Sequence, residues 1–273
     1  MGLWASATRF GRAFGIGVLL LQSGPATAAN ADVVLHAIYG VSLIGLPIGV
    51  AKVTANVTPT SYAVDATAKL SGLATLISNS RGASRGKGAI VSGHIVPASF
   101  ATVATSYNMT RTIRMALAGN TVTGIDIQPP FDDRPDRVPL SEKDKRGVVD
   151  PVGAFIIPAP AGSPPTSPAA CNRTIPVFDG YTRFDVALTY VGQRKVSAKG
   201  YSGPVAICAA RYVPIAGHRR DRPATKFMEE NKDIEVWLAP VGDAKVLVPF
   251  RISLRTMVGT AVAEASEFSV GDK

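Results

Sequence analysis

Apolar and polar side chains alternate along much of the chain, and the alternation has the period of two that puts one face of a strand in a core and the other in solvent. Tyr62, Val64, Ala66, Ala68 and Leu70 fall on one side of an extended segment while Asp65, Thr67 and Lys69 fall on the other. Phe184, Val186, Leu188 and Tyr190 stand against Asp185 and Thr189, and Phe250, Ile252 and Leu254 stand against Arg251, Ser253 and Arg255. Further strands are expected over 33–39, 48–57, 89–95, 100–107, 110–117, 121–127, 196–201, 205–212 and 234–238. Gly119-Asn120 and Gly242-Asp243 supply residues that tolerate the positive φ of tight hairpin turns.

Helical periodicity is sparse. Ser71 to Asn79 carries Leu73, Leu76 and Ile77 at helical spacing with Ser71 placed to cap it, Gly147 to Ile156 has room for a turn or two around Pro151, and Pro223 to Asn231 is the third candidate. One to three short helices without a βαβ rhythm predict a mostly β fold. The expected architecture is a large, strongly curved antiparallel sheet, or an open barrel or spiral. Three stretches interrupt the alternation: 128–147, rich in Pro, Asp, Arg and Lys; 158–168, with Pro158, Pro160, Pro164, Pro165 and Pro168 and no charge; and the cationic run Gly217-His218-Arg219-Arg220-Asp221-Arg222-Pro223. They read as long loops on a single domain spanning 29–273, and loops of that length tend to carry function.

The amino-terminal stretch follows a different pattern. Arg9 and Arg12 precede an apolar run from Ala13 to Leu21, and small residues follow at Ala26-Thr27-Ala28-Ala29. A basic end, a short apolar core and an Ala-x-Ala site read as a secretory signal over 1–28, cleaved near Ala28 or Ala29. The run is shorter than the roughly 20 residues a spanning helix needs. The mature protein is therefore expected to be periplasmic, where an isolated cysteine pair is oxidised, so Cys171 and Cys208 are assigned to a structural disulfide.

The formal net charge is +9, and it remains positive without the signal. In an envelope, such a surface favours lipid headgroups or other anionic envelope components over nucleic acid. Arg219, Arg220 and Arg222 are the candidate anion-binding residues, because forked guanidinium donors match phosphate and carboxylate oxygens.

Catalytic motifs are few. His36, His94 and His218 are scattered without ligand spacing, so neither a metal nor another cofactor is expected. Ser84-Arg85-Gly86-Lys87 matches a Ser-x-x-Lys pattern but lies among glycines that do not favour a helix, and it reads as the basic end of a hairpin. Asp132, Asp133, Asp136 and Asp150 form the one acidic set available to an enzyme, and near prolines they read as loop residues. No enzymatic activity is expected.

Gly40-Val41-Ser42-Leu43-Ile44-Gly45, Val149-Asp150-Pro151-Val152-Gly153-Ala154-Phe155, and the run from Cys171 through Val177-Phe178-Asp179-Gly180 to Cys208-Ala209-Ala210-Arg211-Tyr212 with Pro214 and Gly217 resemble a family of exported bacterial proteins grouped as domain of unknown function 3108. The resemblance implies an envelope protein with a curved β sheet, similar in architecture to periplasmic lipoprotein-carrier proteins. By analogy, its concave side would hold an acyl chain. The alternatives are a scaffold with a self-filled core that docks a protein or wall polymer, and, more remotely, an enzyme acting on envelope polymers.

Overall fold

The computed structural model describes residues 32–272 apart from 73, 74, 76 and 77. The signal segment 1–28 therefore lies outside the described residues, as do Leu73, Leu76 and Ile77 of the first helix candidate.

Fourteen strands form a single antiparallel sheet. In chain order they are β1 (Val33–Leu43), β2 (Leu46–Val57), β3 (Ser61–Leu70), β4 (Arg81–Val91), β5 (His94–Ser106), β6 (Met109–Ala118), β7 (Thr121–Gln128), β8 (Ile157–Pro158), β9 (Arg173–Phe178), β10 (Arg183–Ala198), β11 (Tyr201–Ala216), β12 (Ile234–Pro240), β13 (Val246–Thr256) and β14 (Gly259–Asp272). The spatial order is β7-β6-β5-β4-β3-β2-β1-β14-β13-β12-β11-β10-β9, with β8 added against the start of β13. The first strand thus lies mid-sheet, hydrogen-bonded to the last. Among the described residues one α-helix, α1 (Pro223–Glu230), fills part of the β11–β12 connection.

The sheet curves because its inner positions share one core. Val33, Leu35, Ala37 and Tyr39 of β1 are buried while His36 between them and Gly40 after them are exposed, and the same cluster takes in residues of β2, β3, β5, β6, β9, β11, β12, β13 and β14. Phe178, Phe250 and Phe268 are fully buried in it. The edge strands β7 and β9 do not pair with each other. Segment 146–149 spans the gap: Arg146 forms a bridge with Thr121 and Val149 a parallel one with Val177. Val148 N donates to Asn120 O at 2.9 Å, Val149 N to Pro176 O at 2.8 Å and Phe178 N to Val149 O at 2.9 Å. An edge strand's unpaired amides need such partners when they are covered.

A second, smaller cluster lies around Ile157, Ala170, Leu188, Leu238, Leu247 and the Cys171–Cys208 disulfide. The bridge, with Cα atoms 5.4 Å apart, ties the segment leading into β9 to β11. It anchors the proline-rich connection 158–168.

Several boundaries differ from those the pattern predicts. The expected strand 89–95 is two strand ends joined by Ser92-Gly93, which turn at φ 49° and 73°; a continuous apolar run hides a turn when the turn residues are small. Likewise 196–201 contains the turn Lys199-Gly200 between β10 and β11. Gly147 to Ile156 yields only a short 3-10 turn at Gly153–Phe155, whereas Pro223 to Asn231 does form α1. Arg81 to Gly88 is not a hairpin end but the full-length strand β4, paired to β3 and β5. Its glycines make room: a Cβ on Gly86 would lie 3.0 Å from Asp150 Oδ1 and 3.1 Å from Val152 Cβ, and one on Gly88 would overlap Val96 O and Pro97.

Candidate functional site

Segment 148–156 covers the inner face of β4 at Gly86, and its anchor is Asp150. The carboxylate is buried. Oδ1 accepts the Val152 and Gly153 amides, both at 2.9 Å, and Oδ2 faces the Tyr62 hydroxyl at 3.5 Å. Burial pushes the Asp150 pKa up against the opposing pull of the two amides. Beside it, Asp179 Oδ1 accepts Tyr181 N at 2.8 Å and Thr182 N at 2.6 Å, turning the chain from β9 into β10, and desolvation raises its pKa as well. The parallel Val149–Val177 contact sets these two aspartate turns side by side. Two of the stretches that carried the family resemblance therefore meet at the seam between the sheet edges.

Against this seam the two cationic loops lock together. Arg137 and Arg219 form a bridge, with Gly217 N donating to Val138 O, Val138 N to His218 O and Arg220 N to Asp136 O, each at 2.9 Å. Arg219 Nε donates to both Asp136 oxygens at 3.0 Å. That hydrogen bond, and then the guanidinium's charge, hold the Asp136 pKa below the usual carboxylate range. Arg137 lies 3.6 Å from the Tyr181 ring centre and donates to Gly217 O and Tyr181 O. Phe131 stacks on Tyr181 with centroids 3.9 Å apart.

Between these loops and the inner faces of β4, β5 and β6 lies a cavity of about 670 Å³. Phe100, Ile113, Phe131, Pro151 and Tyr212 give it apolar walls, Ser84 and Thr102 a hydroxyl strip, and Arg134, Arg219 and Arg222 cations. His218 also lines it. Its Nδ1 is buried without a hydrogen-bond partner among the described residues, and desolvation is the main cause of its lowered pKa. Two other cavities, of about 690 and 850 Å³, lie beneath the 158–165 connection. Apart from Arg173 and Ile side chains in the first and Asp243 and Lys245 in the second, small residues, prolines and turn residues make up most of their walls.

The three arginines of the anion-binding expectation are not equivalent. Arg222 lines the cavity and precedes α1. Arg219 lines it too, but its charge is already met by Asp136. Arg220 is exposed and does not line it. The loop is thus a docked element rather than a solvated one, and removal of Arg219 would loosen it.

The other singled-out residues are dispersed. Ser84 faces the cavity, while Lys87, three positions along a strand, belongs to the opposite face. Asp132 pairs with Arg134, Asp136 with Arg219, and Asp150 caps a turn. Asp133 is exposed and forms no ion pair among the described residues. His36 meets Thr54, and His94 borders a cavity beneath the proline-rich connection. Among the described residues no three His, Cys, Asp or Glu side chains come together as a metal site. The cavity's aromatic walls were not singled out in advance. Alternation places Phe100 indoors, but only the three-dimensional seam brings it to Pro151 and Tyr212.

A barrel-like sheet, incompletely closed and sealed along its seam by its own central segment, with an apolar cavity under paired loops, is the class of protein that these features define. The chain belongs to the protein family of unknown function DUF3108, whose family model matches residues 36–266. Its fold is similar to the crystal structure of a β-barrel-like protein of domain of unknown function DUF1849 from Brucella abortus, with a TM-score of 0.51 and 9% identity over 89% of this chain and 99% of that one. No curated protein matches the sequence.

Proposed function

We propose that the protein is a non-enzymatic envelope protein, exported to the periplasm, that holds the apolar portion of an anionic amphiphile such as a lipid or acylated molecule. The cavity carries this reading. Phe100, Ile113, Phe131, Pro151 and Tyr212 make much of its wall apolar, Asp132 and Asp179 line it beside the cations of the two loops, and its volume lies within the roughly 300–1,000 Å³ usual for ligand sites. An acyl chain buried against Phe100, Ile113 and Tyr212 would gain hydrophobic stabilisation while Arg222, which makes no ion pair among the described residues, meets the headgroup.

A second reading has an observation in its favour. Phe250 and Phe268, buried on β13 and β14 in the middle of the sheet and 5.9 Å apart, fill its concave side, so the concave face is not an open tube. A scaffold that docks a protein or wall polymer would need no more.

Titration with a fluorescent long-chain fatty acid separates the two readings. The expected result is saturable binding, weakened at least tenfold by Arg222→Ala, since a hydrogen bond to a charged group contributes roughly 1.5–3 kcal/mol. Thr102→Trp, which fills the cavity, should abolish it. Binding that is indifferent to both changes would favour the scaffold.

A further inference from the structure

The turns at the two ends of the sheet differ in chemistry. At one end the chain reverses through Thr58-Pro59-Thr60, Ser92-Gly93, Gly119-Asn120, Lys199-Gly200 and Gly242-Asp243, all ordinary turn residues. Val91 is the exposed large apolar residue that flanks them. At the other end, the β1–β2, β5–β6 and β13–β14 turns present Ile44 and Leu46, Tyr107 and Met109, and Met257 and Val258. Ile44, Leu46, Tyr107 and Val258 are each 66–68% exposed.

Backbone strain accompanies the exposure. Ile44-Gly45 turns at φ 52° and 77°, close to the 49° and 73° of Ser92-Gly93 at the opposite end. Any residue other than glycine is disfavoured there, and isoleucine more than serine because its branched Cβ crowds the left-handed conformation. Tyr107, also at φ 52°, repeats the choice. A strained turn that leaves an apolar side chain about two-thirds exposed gains little from burial, and such outliers point to function.

We propose that this end of the sheet docks on an anionic lipid surface, its hairpin tips inserting among the headgroups. Ile44 N bonds to Thr260 O at 2.9 Å, so the β1–β2 and β13–β14 tips adjoin. The β5–β6 tip stands four strands along from the first, about 19 Å at the usual strand spacing. Apolar tips with cations behind them match a lipid surface, which is apolar within and charged at its headgroups. Exposed Lys52, Lys69 and Arg81 lie behind the tips and make no ion pair among the described residues, which fits the charge of acidic headgroups. Ser84, Thr102 and Ile113 of the cavity lie in the halves of β4, β5 and β6 nearest the same end. The docking does not depend on the cavity's being filled.

The test is co-sedimentation of the mature protein with phosphatidylglycerol and phosphatidylcholine vesicles across a salt series. The unaltered protein is expected to bind phosphatidylglycerol vesicles, more weakly as salt rises. Ile44→Asn, Tyr107→Asn and Val258→Ser together should lower the partition at least tenfold without lowering the thermal midpoint, because asparagine tolerates positive φ. Val91→Ser, at the other end, should leave binding unchanged. Equal binding by the triple variant would overturn the proposal, as would tip-dependent self-association without vesicle binding. Fatty-acid titration without vesicles is unaffected by the tips, so loss of docking and loss of cavity binding are read independently.

Discussion

Replacing Cys171 and Cys208 together by alanine should lower the free energy of unfolding by about 3–4 kcal/mol, with the thermal midpoint falling by roughly 10 °C. The bridge spans 37 residues of sequence, and without it the unfolded chain regains the freedom of that loop. The folded state adds to the effect, because both cysteines are fully buried among Ile157, Leu188, Leu238 and Leu247, where alanine leaves a small void. The other ties of the segment from Pro158 to Cys171 include the two residues of β8, Ala159 N donating to Lys245 O, Thr166 Oγ1 donating to Gln193 Oε1, and Arg173 donating to Pro158 O and Ala169 O. Denaturant melts of the oxidised protein and the double variant measure the difference. Limited proteolysis should cut the variant first within 158–168. A midpoint within a degree of the parent would show that the core alone positions this segment.

The second large effect is expected at Asp150, where alanine and asparagine should part company. Asp150→Ala leaves the Val152 and Gly153 amides without their acceptor in a buried place, at about 1–3 kcal/mol each, and should cost about 3 kcal/mol or more. Asp150→Asn keeps an oxygen for both amides and removes a carboxylate whose charge is penalised by burial.

The pH dependence follows from the sign of the shift. Asp150 has a raised pKa in the folded state, so the native protein holds that proton more tightly than the unfolded chain. The group's contribution to stability is therefore full below the ordinary carboxylate pKa of about 3.9 and falls as pH rises through the raised folded value. Asp179 carries the same sign, while Asp136, Asp144 and Glu267, lowered by their hydrogen bonds, carry the opposite one. Comparing the asparagine variant with its parent cancels those groups. The stability of Asp150→Asn relative to the parent should rise from acid to neutral pH and then level. A relative stability that falls over that range would mean that the carboxylate's charge is needed at the seam.

How far the sequence discloses this structure depends on what each residue answers to. Alternation in Tyr62 to Leu70 and in Phe250 to Leu254 is a local consequence of burying one face, and the strands lie where it predicts. The cysteine pairing was legible because only two cysteines are present. Strand β14 was not legible: Gly259 to Asp272 alternates in small residues, Ala261, Ala263 and Ala265, and takes its place from pairing with β1 and β13. Strand β4 was misread for a related reason, since its glycines answer to Asp150 and Val152 far along the chain. The cationic loop was found, but not that Asp136 neutralises Arg219, because that pairing depends on two long loops meeting. Cavity walls from Phe100, Pro151 and Tyr212 come together only through the seam.

The most direct measurement is mass spectrometry of the organic-extractable molecules that accompany the protein purified from its native envelope, set beside the Thr102→Trp variant prepared in the same way. The cavity reading predicts one class of anionic amphiphile at close to one molecule per protein, and its loss from the variant. No such molecule, or equal amounts in both preparations, would contradict it.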